Sequence, residues 1–239
     1  NNFASTTSQD QAAGTGWTAN NRRFGAGALM FDGTNDYVTN ADNNSLDFGT
    51  GDFSTESWFK TSSATGGDDD YGTIIEDFNA AASNTEAGWF VGMGDTSDKG
   101  KIRFFIYDNN AAAYQVNLFS NKTYNDGNWH HVAAVRSGPT QYIYVDGLLD
   151  NSGTGTLRTV NNSKELMIGR YTVDGNRYFN GVIDSTRVYS RVLTASEIQS
   201  NYNNGNVEFQ TRTGTTTTPN DGTWEAWKPS GNSTETQLD

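Results

Sequence analysis

WHHVAAVRSGPTQYIYVDGLLDN, residues 129–151, contains two runs with the two-residue alternation of β-strands, separated by polar turn residues. The dipeptide Asp146-Gly147 lies between YIYV and LLDN. Asp-Gly is one of the few pairs that readily adopt the left-handed conformations of a two-residue hairpin turn. This stretch therefore predicts a tight antiparallel hairpin that follows another strand.

The same kind of run recurs from Phe24 onwards, with Gly, Asn and Asp between the runs, and this predicts two large antiparallel sheets. The exception is TASEIQSNYN, residues 194–203, where Thr194 as N-cap and Glu197 three residues later form a capping box. We therefore predict one short helix there. The residues that we expect to be mostly buried are Trp129, Val132, Ile143, Val145, Ile183 and Val188.

The composition limits the chemistry that the chain can perform. It has 239 residues and no cysteine, so disulfides and thiolate catalysis are excluded. The net charge of −12 and the scattered lysines and arginines argue against nucleic acid as a partner. No apolar run approaches the roughly 20 residues that a membrane-spanning helix needs. The start at Asn1 is interpreted as that of a mature or excised piece of a longer precursor.

Three segments follow from the changes in composition along the chain. Residues 1–23 are polar and are predicted to form an arm or an irregular first strand, and residues 24–206 form the main domain. Residues 207–239 are an appendage or the start of a following segment. Because an unpaired strand edge invites pairing, we expect these two terminal segments to support self-association.

The order of the motifs carries a family resemblance. FGAGALMFDGTNDYV, DGNWHHVAAV, YVDG, ELMIGR and GVIDSTRVYSRVLTASEI follow one another between Phe24 and Asn204. In this order they resemble the laminin G-like, concanavalin A-like lectin/glucanase jelly-roll family. The resemblance implies an all-β fold, a two-sheet antiparallel jelly-roll sandwich with one short C-terminal helix. It also implies glycan or protein binding, often together with calcium.

The two histidines of the chain, His130 and His131, are neighbours on one predicted strand. Adjacent strand residues point to opposite faces, so the pair cannot converge on one metal ion. A catalytic histidine also needs an orienting carboxylate and a nucleophile, and no nearby motif supplies both. We interpret both histidines as packing residues.

Aromatic residues that alternate with the predicted core are the candidates for ligand binding, because their rings can stack on sugars. Loops 64–72 and 169–179 contribute further tyrosines, and Asp68, Asp69 and Asp70 could hold a cation or form a solvated turn. The predicted ligand-binding residues are Tyr71, Phe105, Tyr107, Tyr142, Tyr144 and Tyr171.

The family resemblance also implies a structural calcium ion where the first and last strands pair. It assigns ligand roles to Asp32, to the Gly33 carbonyl and to Asp184, with Asn35 and Asp36 as further oxygen donors. Such an ion would bind only the folded chain, so chelation is expected to lower the melting temperature.

Catalysis is not predicted. Glycosidases need two carboxylates that face one cleft, whereas Glu76 and Asp77 are adjacent and point to opposite faces of a strand. We expect a non-catalytic recognition module for a glycan or a surface protein, in an extracellular or cell-surface bacterial protein. The alternatives are a subunit of a surface fibre, with contacts through the terminal segments, and an atypical glycoside hydrolase or polysaccharide lyase.

Overall fold

Alternating side chains separate an apolar core from two outer faces, as the sequence predicts. Along residues 101–108, for example, Ile102, Phe104 and Ile106 are fully buried in the main core cluster. The structure is a computed structural model. It describes residues 16–18, 21–25, 27–63, 72–78, 87–95, 97–108, 111–171, 177–204, 210–211 and 228–229.

Two antiparallel sheets form a jelly-roll sandwich, which confirms the predicted fold class. One sheet has seven strands in the order β1-β2-β13-β4-β9-β10-β11, and the other has six in the order β3-β12-β5-β6-β7-β8. The strands of the seven-stranded sheet are β1 Gly16–Thr18, β2 Ala28–Asp32, β4 Phe53–Lys60, β9 Trp129–Ser137, β10 Thr140–Val145, β11 Leu148–Thr154 and β13 Asn180–Tyr189. Those of the six-stranded sheet are β3 Val38–Asn40, β5 Thr73–Phe78, β6 Ala87–Met93, β7 Lys101–Asp108, β8 Ala113–Thr123 and β12 Leu166–Ile168.

The local predictions for the turn and the helix are confirmed. Asp146 and Gly147 have φ angles of 51° and 79° and connect β10 to β11. Helix α1 runs over Ala195–Asn204. Its capping box is formed by the Glu197 amide, which donates to Thr194 Oγ1 at 3.2 Å, and by the Thr194 amide, which donates to Glu197 Oε2 at 2.8 Å. Among the described residues, no helix combines the length and apolar character needed to cross a membrane.

Helix α1 covers part of the outer face of the seven-stranded sheet. Ile198 of the helix is fully buried and packs in a cluster with Ala133 and Val135 of β9. Beside this cluster, the ring of Tyr202 stacks on Trp58 of β4, with centroids 5.5 Å apart. The helix therefore lies on the sheet through apolar and aromatic contacts.

A buried carboxylate, Glu56 of β4, lies under the same helix. Its oxygens accept hydrogen bonds from Asn201 Nδ2 at 2.9 and 3.1 Å and from Arg187 Nη1 at 3.2 Å. The hydroxyl of Tyr189 lies 3.4 Å away and donates as well. Because buried charges are stable only when they are paired, this network connects the helix, β13 and β4 through one side chain.

The six residues that we expect to be mostly buried differ in how deeply they are buried. Val132, Ile143, Val145 and Ile183 are buried in the core. Trp129 and Val188 are less deeply buried, and Val188 packs against the same core cluster.

The chain divides into two compact units, Asn1–Tyr202 and Asn203–Asp239. In the second unit, β14 (Gln210–Thr211) and β15 (Lys228–Pro229) pair antiparallel. In the first unit, β1 pairs with β2, so the described end of the predicted 1–23 arm belongs to the seven-stranded sheet.

Candidate ligand-binding surface

The two histidines point to opposite faces of β9, as predicted. His131 is 1% exposed and lies against Trp58 on the outer face, and burial lowers its pKa. His130 lies on the other face, where Nδ1 is 2.8 Å from Asp146 and Nε2 is 3.1 Å from Asp126. Burial alone would lower the pKa of His130, but its hydrogen bonds to the two aspartates outweigh burial and raise the pKa.

These contacts give His130 a structural role. It joins the turn before β9 to the turn between β10 and β11, because Asp126 and Asp146 belong to those turns. The sequence interpretation as a packing residue did not include these two carboxylates. Asp126 precedes Gly127 in an Asp-Gly turn and lies four residues before His130. This short spacing was the feature of the sequence from which the contact between Asp126 and His130 could have been predicted.

The outer face of the six-stranded sheet carries a cluster of aromatic rings, which we call the aromatic face. It consists of buried Phe78, Phe90, Phe105 and Tyr171, with Tyr107 partly buried beside them and Tyr114 at the edge. The Phe90 and Phe105 rings are stacked, with centroids 5.0 Å apart and planes 12° apart. Such packing holds the cluster in one arrangement.

Glycines make room for these rings. A Cβ on Gly88 would lie 2.2 Å from the Asp77 carbonyl oxygen and 3.0 Å from the Phe78 ring. A Cβ on Gly92 would lie 2.6 Å from the Phe90 ring. The distances of 2.2 Å at Gly88 and 2.6 Å at Gly92 are too short for a Cβ, so glycine at these two positions lets the neighbouring backbone and the Phe90 ring approach β6 closely.

Arg103 of β7 supports the exposed edge of the aromatic face. Its guanidinium is over the Phe105 ring, 4.8 Å from the centroid, and Nε donates to Asn117 Oδ1 at 2.8 Å. Nη2 lies 3.4 Å from the hydroxyl of Tyr114, and the ring of Tyr114 lies 4.7 Å from that of Tyr107. The two tyrosines are thus held on an ordered base of buried side chains.

Accessibility separates the members of the aromatic face. Phe105 and Tyr171 are 2% and 6% exposed, so they support the surface rather than form it. Tyr107 is half-buried, and Tyr114 is 42% exposed. The sequence prediction included Tyr107 and missed Tyr114, although Tyr114 begins the alternating run AYQVNLF.

The six predicted ligand-binding residues therefore do not form one surface. Phe105, Tyr107 and Tyr171 belong to the aromatic face. Tyr142 and Tyr144 lie on the outer face of the other sheet, where they pack beside helix α1. Tyr71 lies outside the described residues, as do Asp68, Asp69 and Asp70.

The adjacent acids of β5 point to opposite faces, as predicted. Glu76 is paired with Phe90 of the aromatic face and Asp77 with Trp89 of the core. Both acids are buried. Asp77 Oδ1 accepts a hydrogen bond from Asn162 Nδ2 at 2.8 Å, and burial raises the pKa of Asp77 to about 7.

We expect Asp77 to make the stability fall as the pH rises. Because its pKa is higher in the folded chain than in the unfolded chain, the folded state binds the proton more tightly. The stability that this gives is complete below about pH 4 and is lost as the pH rises through about 7. From pH 5 to pH 7 the loss should be about 2 kcal/mol, since one pKa unit corresponds to about 1.4 kcal/mol. Urea unfolding at both pH values measures it.

The variant Asp77→Asn tests this assignment. Its amide oxygen can still accept the bond from Asn162, but it cannot ionise. The difference in unfolding free energy between pH 5 and pH 7 should shrink by about 2 kcal/mol relative to the wild type. An exposed acid, Glu165→Gln, is the control and should leave the pH dependence unchanged. An unaltered pH dependence in Asp77→Asn would contradict the assignment.

The sequence pattern of one family, described as the concanavalin A-like lectin/glucanases superfamily (Laminin_G_3), matches residues 32–199. This range covers most of the chain and all the strands from β3 to β13. The chain belongs to the concanavalin A-like lectin/glucanase superfamily. No curated protein sequence matches it.

Solved structures with this superfamily fold include the binding domain of paraclostridial mosquitocidal protein 1, with a TM-score of 0.63, 17% identity and coverage of 84% of this chain and 48% of that one. The binding domain of botulinum neurotoxin serotype G has a TM-score of 0.55 and 18% identity, and the match covers 80% of this chain and 47% of that one. This chain thus spans about half the length of each toxin binding domain. A third structure is domain 4 of AbnA, a GH43 extracellular arabinanase from Geobacillus stearothermophilus, in complex with arabinotriose. It has a TM-score of 0.54 and 16% identity, and the match covers 73% of this chain and 76% of that one.

The residues that the superfamily resemblance assigns to calcium do not fit a single ion. Strands β2 and β13 pair as expected, and Asp32 is opposite Asn180. Asp184 lies four residues further along β13, which separates the two aspartates by about 13 Å. A shared calcium site needs oxygen ligands about 2.3–2.6 Å from one ion.

Protein groups already occupy these carboxylates. Asp184 Oδ2 accepts hydrogen bonds from the amides of Arg23 and Phe24, both at 2.9 Å, and Asp32 Oδ1 accepts one from the amide of Thr34 at 2.7 Å. Within the described part of the chain, no three acidic or histidine side chains are placed to hold a metal ion. Asp184 therefore ties the segment before β2 to β13 through these two amides, and calcium binding by the chain stays an untested prediction.

Proposed function

We propose that the domain is a non-catalytic, extracellular carbohydrate-recognition module, and that Tyr107 and Tyr114 form its contact surface. The observation that carries the proposal is the position of these two rings. Tyr107 is half-buried and Tyr114 is 42% exposed, and both rings lie on the buried side chains of Phe105 and Arg103. A sugar ring presents C–H groups on its face, which pack well against an aromatic ring whose position is fixed.

Polar groups at the same edge favour a saccharide over an apolar ligand. The side chains of Asn117 and Arg103 and the hydroxyl of Tyr114 are linked by hydrogen bonds next to the exposed rings. Ligand sites commonly combine apolar surface with a few fixed polar groups. Domain 4 of AbnA, which shares this fold, was solved in complex with arabinotriose, and this supports a saccharide as the ligand class.

The arrangement of the acids supports a binding role without catalysis. Glycosidases use two carboxylates that flank one bond, about 5–10 Å apart in the same cleft. Here Glu76 and Asp77 are on opposite faces of β5, and both are buried. The alternative of a surface fibre depends on the terminal segments, most of which lie outside the described residues.

We expect the double variant Tyr107→Ala/Tyr114→Ala to bind oligosaccharides at the aromatic face at least about tenfold more weakly, equivalent to about 1.4 kcal/mol. A panel of arabinan, xylan and glucan oligomers, followed by calorimetric titration of the hits, measures this loss. Tyr142→Ala is the matched control, because Tyr142 is half-buried on the outer face of the other sheet. Binding that is unchanged in the double variant but weaker in Tyr142→Ala would place the site on that other face. Binding to proteins alone would contradict the carbohydrate proposal.

A further inference from the structure

A groove of about 580 Å³ lies on the outer face of the seven-stranded sheet, at the end where β2 and β4 finish and β13 begins. We propose that this groove is a second carbohydrate site, which binds a neutral sugar unit on the side of the sandwich away from the aromatic face. Its volume is within the range of about 300–1,000 Å³ that is usual for small-molecule sites. The proposal goes beyond the binding at Tyr107 and Tyr114, since it concerns different strands and different residues.

The groove exists because helix α1 and the rings beside it cover only part of this sheet face. They leave the row of side chains at the end of β4 uncovered. Glu56 and Ala133, paired across β4 and β9, lie under helix α1. In the next row, Trp58 is covered by the rings of Phe24 and Tyr202. Beyond Trp58, the described residues place no ring or helix on the sheet.

Three residues of the uncovered row, Met30, Val182 and Lys60, line the floor of the groove. Met30, Val182, Lys60 and Trp129 are paired in register across β2, β13, β4 and β9, so their side chains point to the same side. Met30 and Val182 supply apolar surface. Trp129 is half-buried directly beside Lys60, at the distance of about 5 Å between Cβ atoms that separates opposite residues. Trp129 therefore lies beside the groove and is not one of its lining residues.

Polar side chains with unused hydrogen-bonding capacity surround this floor. Lys60, Asn180 and Asn21 line the groove, and within the described part of the chain their side chains make no hydrogen bond or ion pair. By contrast, the hydroxyl of Thr61 is occupied, because it donates to the Asn180 carbonyl at 2.6 Å and so fixes the groove wall. The two amides both donate and accept, and the ammonium donates.

The charges of the groove favour a neutral ligand. Lys60 is the one cation and Asp32 the one anion among the described lining residues, so the local charges balance. The chain as a whole carries a net charge of −12, which repels anionic polysaccharides. An apolar floor surrounded by amides, hydroxyls and one ammonium therefore suits a hydroxyl-rich, uncharged ring.

The experiment uses the full chain and the same neutral oligomers, with a uronate oligomer as the charged comparison. Lys60→Met and Asn180→Ala change half-buried or exposed side chains, so the fold should be retained. In the Tyr107→Ala/Tyr114→Ala background, we expect a residual saccharide affinity that Lys60→Met/Asn180→Ala lowers at least tenfold. Lys122→Met, at an exposed position, is the control and should have no effect.

The outcomes separate the two sites. If Tyr107→Ala/Tyr114→Ala abolishes all saccharide binding, the groove proposal is overturned and the aromatic face stands. If the groove variants alone abolish binding, the groove stands and the aromatic face is not the site. Tighter binding of the uronate oligomer than of neutral oligomers would overturn the neutral class. The absence of saccharide binding in the unmodified chain would overturn both proposals.

Discussion

Replacing Arg136 with methionine is expected to lower the free energy of unfolding by about 4 kcal/mol, the largest effect that we predict for a single side chain. Arg136 is fully buried, and its guanidinium lies 4.9 Å from the centroid of the Phe53 ring. Nη1 donates to the Arg158 carbonyl at 2.9 Å, and Nη2 donates to the carbonyls of Gly49 (3.0 Å) and Gly51. Methionine would remove three hydrogen bonds from a charged donor, each worth about 1.5–3 kcal/mol, and among the described residues only the Gly49 carbonyl would keep another donor, the Val160 amide at 3.0 Å.

Variants at position 136 can separate the contribution of the positive charge from that of the guanidinium geometry. Burial lowers the pKa of Arg136 to about 10, which still leaves the guanidinium charged at neutral pH. Arg136→Lys keeps the charge but loses the planar, forked set of donors, so it should recover only part of the lost stability. Urea unfolding of both variants measures the difference. Lys122→Met, the exposed control, should change stability by less than about 0.5 kcal/mol, and an equally small effect in Arg136→Met would refute the role given to Arg136.

The second large effect is expected at Glu56. Glu56→Ala should lower the free energy of unfolding by about 3 kcal/mol, because it removes the acceptor of Asn201, Arg187 and Tyr189 and leaves a small cavity under helix α1. Most of the cost should come from the lost hydrogen bonds of Asn201 and Tyr189, because the side chain of Arg187 is 52% exposed and can bond to water instead. Urea unfolding followed by circular dichroism provides the measurement.

A matched pair of variants separates the network from the simple loss of a carboxylate. Glu165→Ala removes an exposed acid and should cost less than about 0.5 kcal/mol. Glu56→Gln keeps the shape and one acceptor, so its cost should lie between those of the two alanine variants. If Glu56→Ala is no more destabilising than Glu165→Ala, the network does not hold the helix on the sheet.

The positions of Arg136 and Glu56 bear on function because both residues lie apart from the proposed binding surfaces. Arg136 fixes the loops around Gly49 and Arg158, and Glu56 fixes helix α1. Tyr107 and Tyr114 are on the other sheet, and Lys60 lies beyond the cover that the helix provides. Variants at those surface positions should therefore report on binding with small changes in stability.

The sequence by itself determined the strands, the hairpin at Asp146-Gly147 and the helix after Thr194. These features depend on side-chain alternation and turn chemistry among residues a few positions apart, and that information is local. For the same reason, alternation correctly separated Ile102, Phe104 and Ile106 from Phe105 and Tyr107, and the first set faces the core.

Only the tertiary structure decided which outward residues stay accessible. Phe105 and Tyr107 alternate in the same way along β7, yet Phe105 is covered by Phe78, Phe90 and Tyr114 from other strands. The pattern of one strand cannot show what packs on it from another. Tyr142 and Tyr144 were grouped with Tyr107 by their alternation, but they belong to the other sheet.

The buried charges illustrate the same limit. A bulge in β13 at Ser185, with φ 51°, brings Asp184 and Arg187 to the same side of the sheet, opposite Trp58 and Glu56. Simple alternation would place Arg187 on the core side. Arg136 likewise meets the Gly49 carbonyl, 87 positions away in the chain. Contacts of this kind arise from sheet register and loop closure, which depend on the whole packed chain, and therefore no local pattern of residues specifies them.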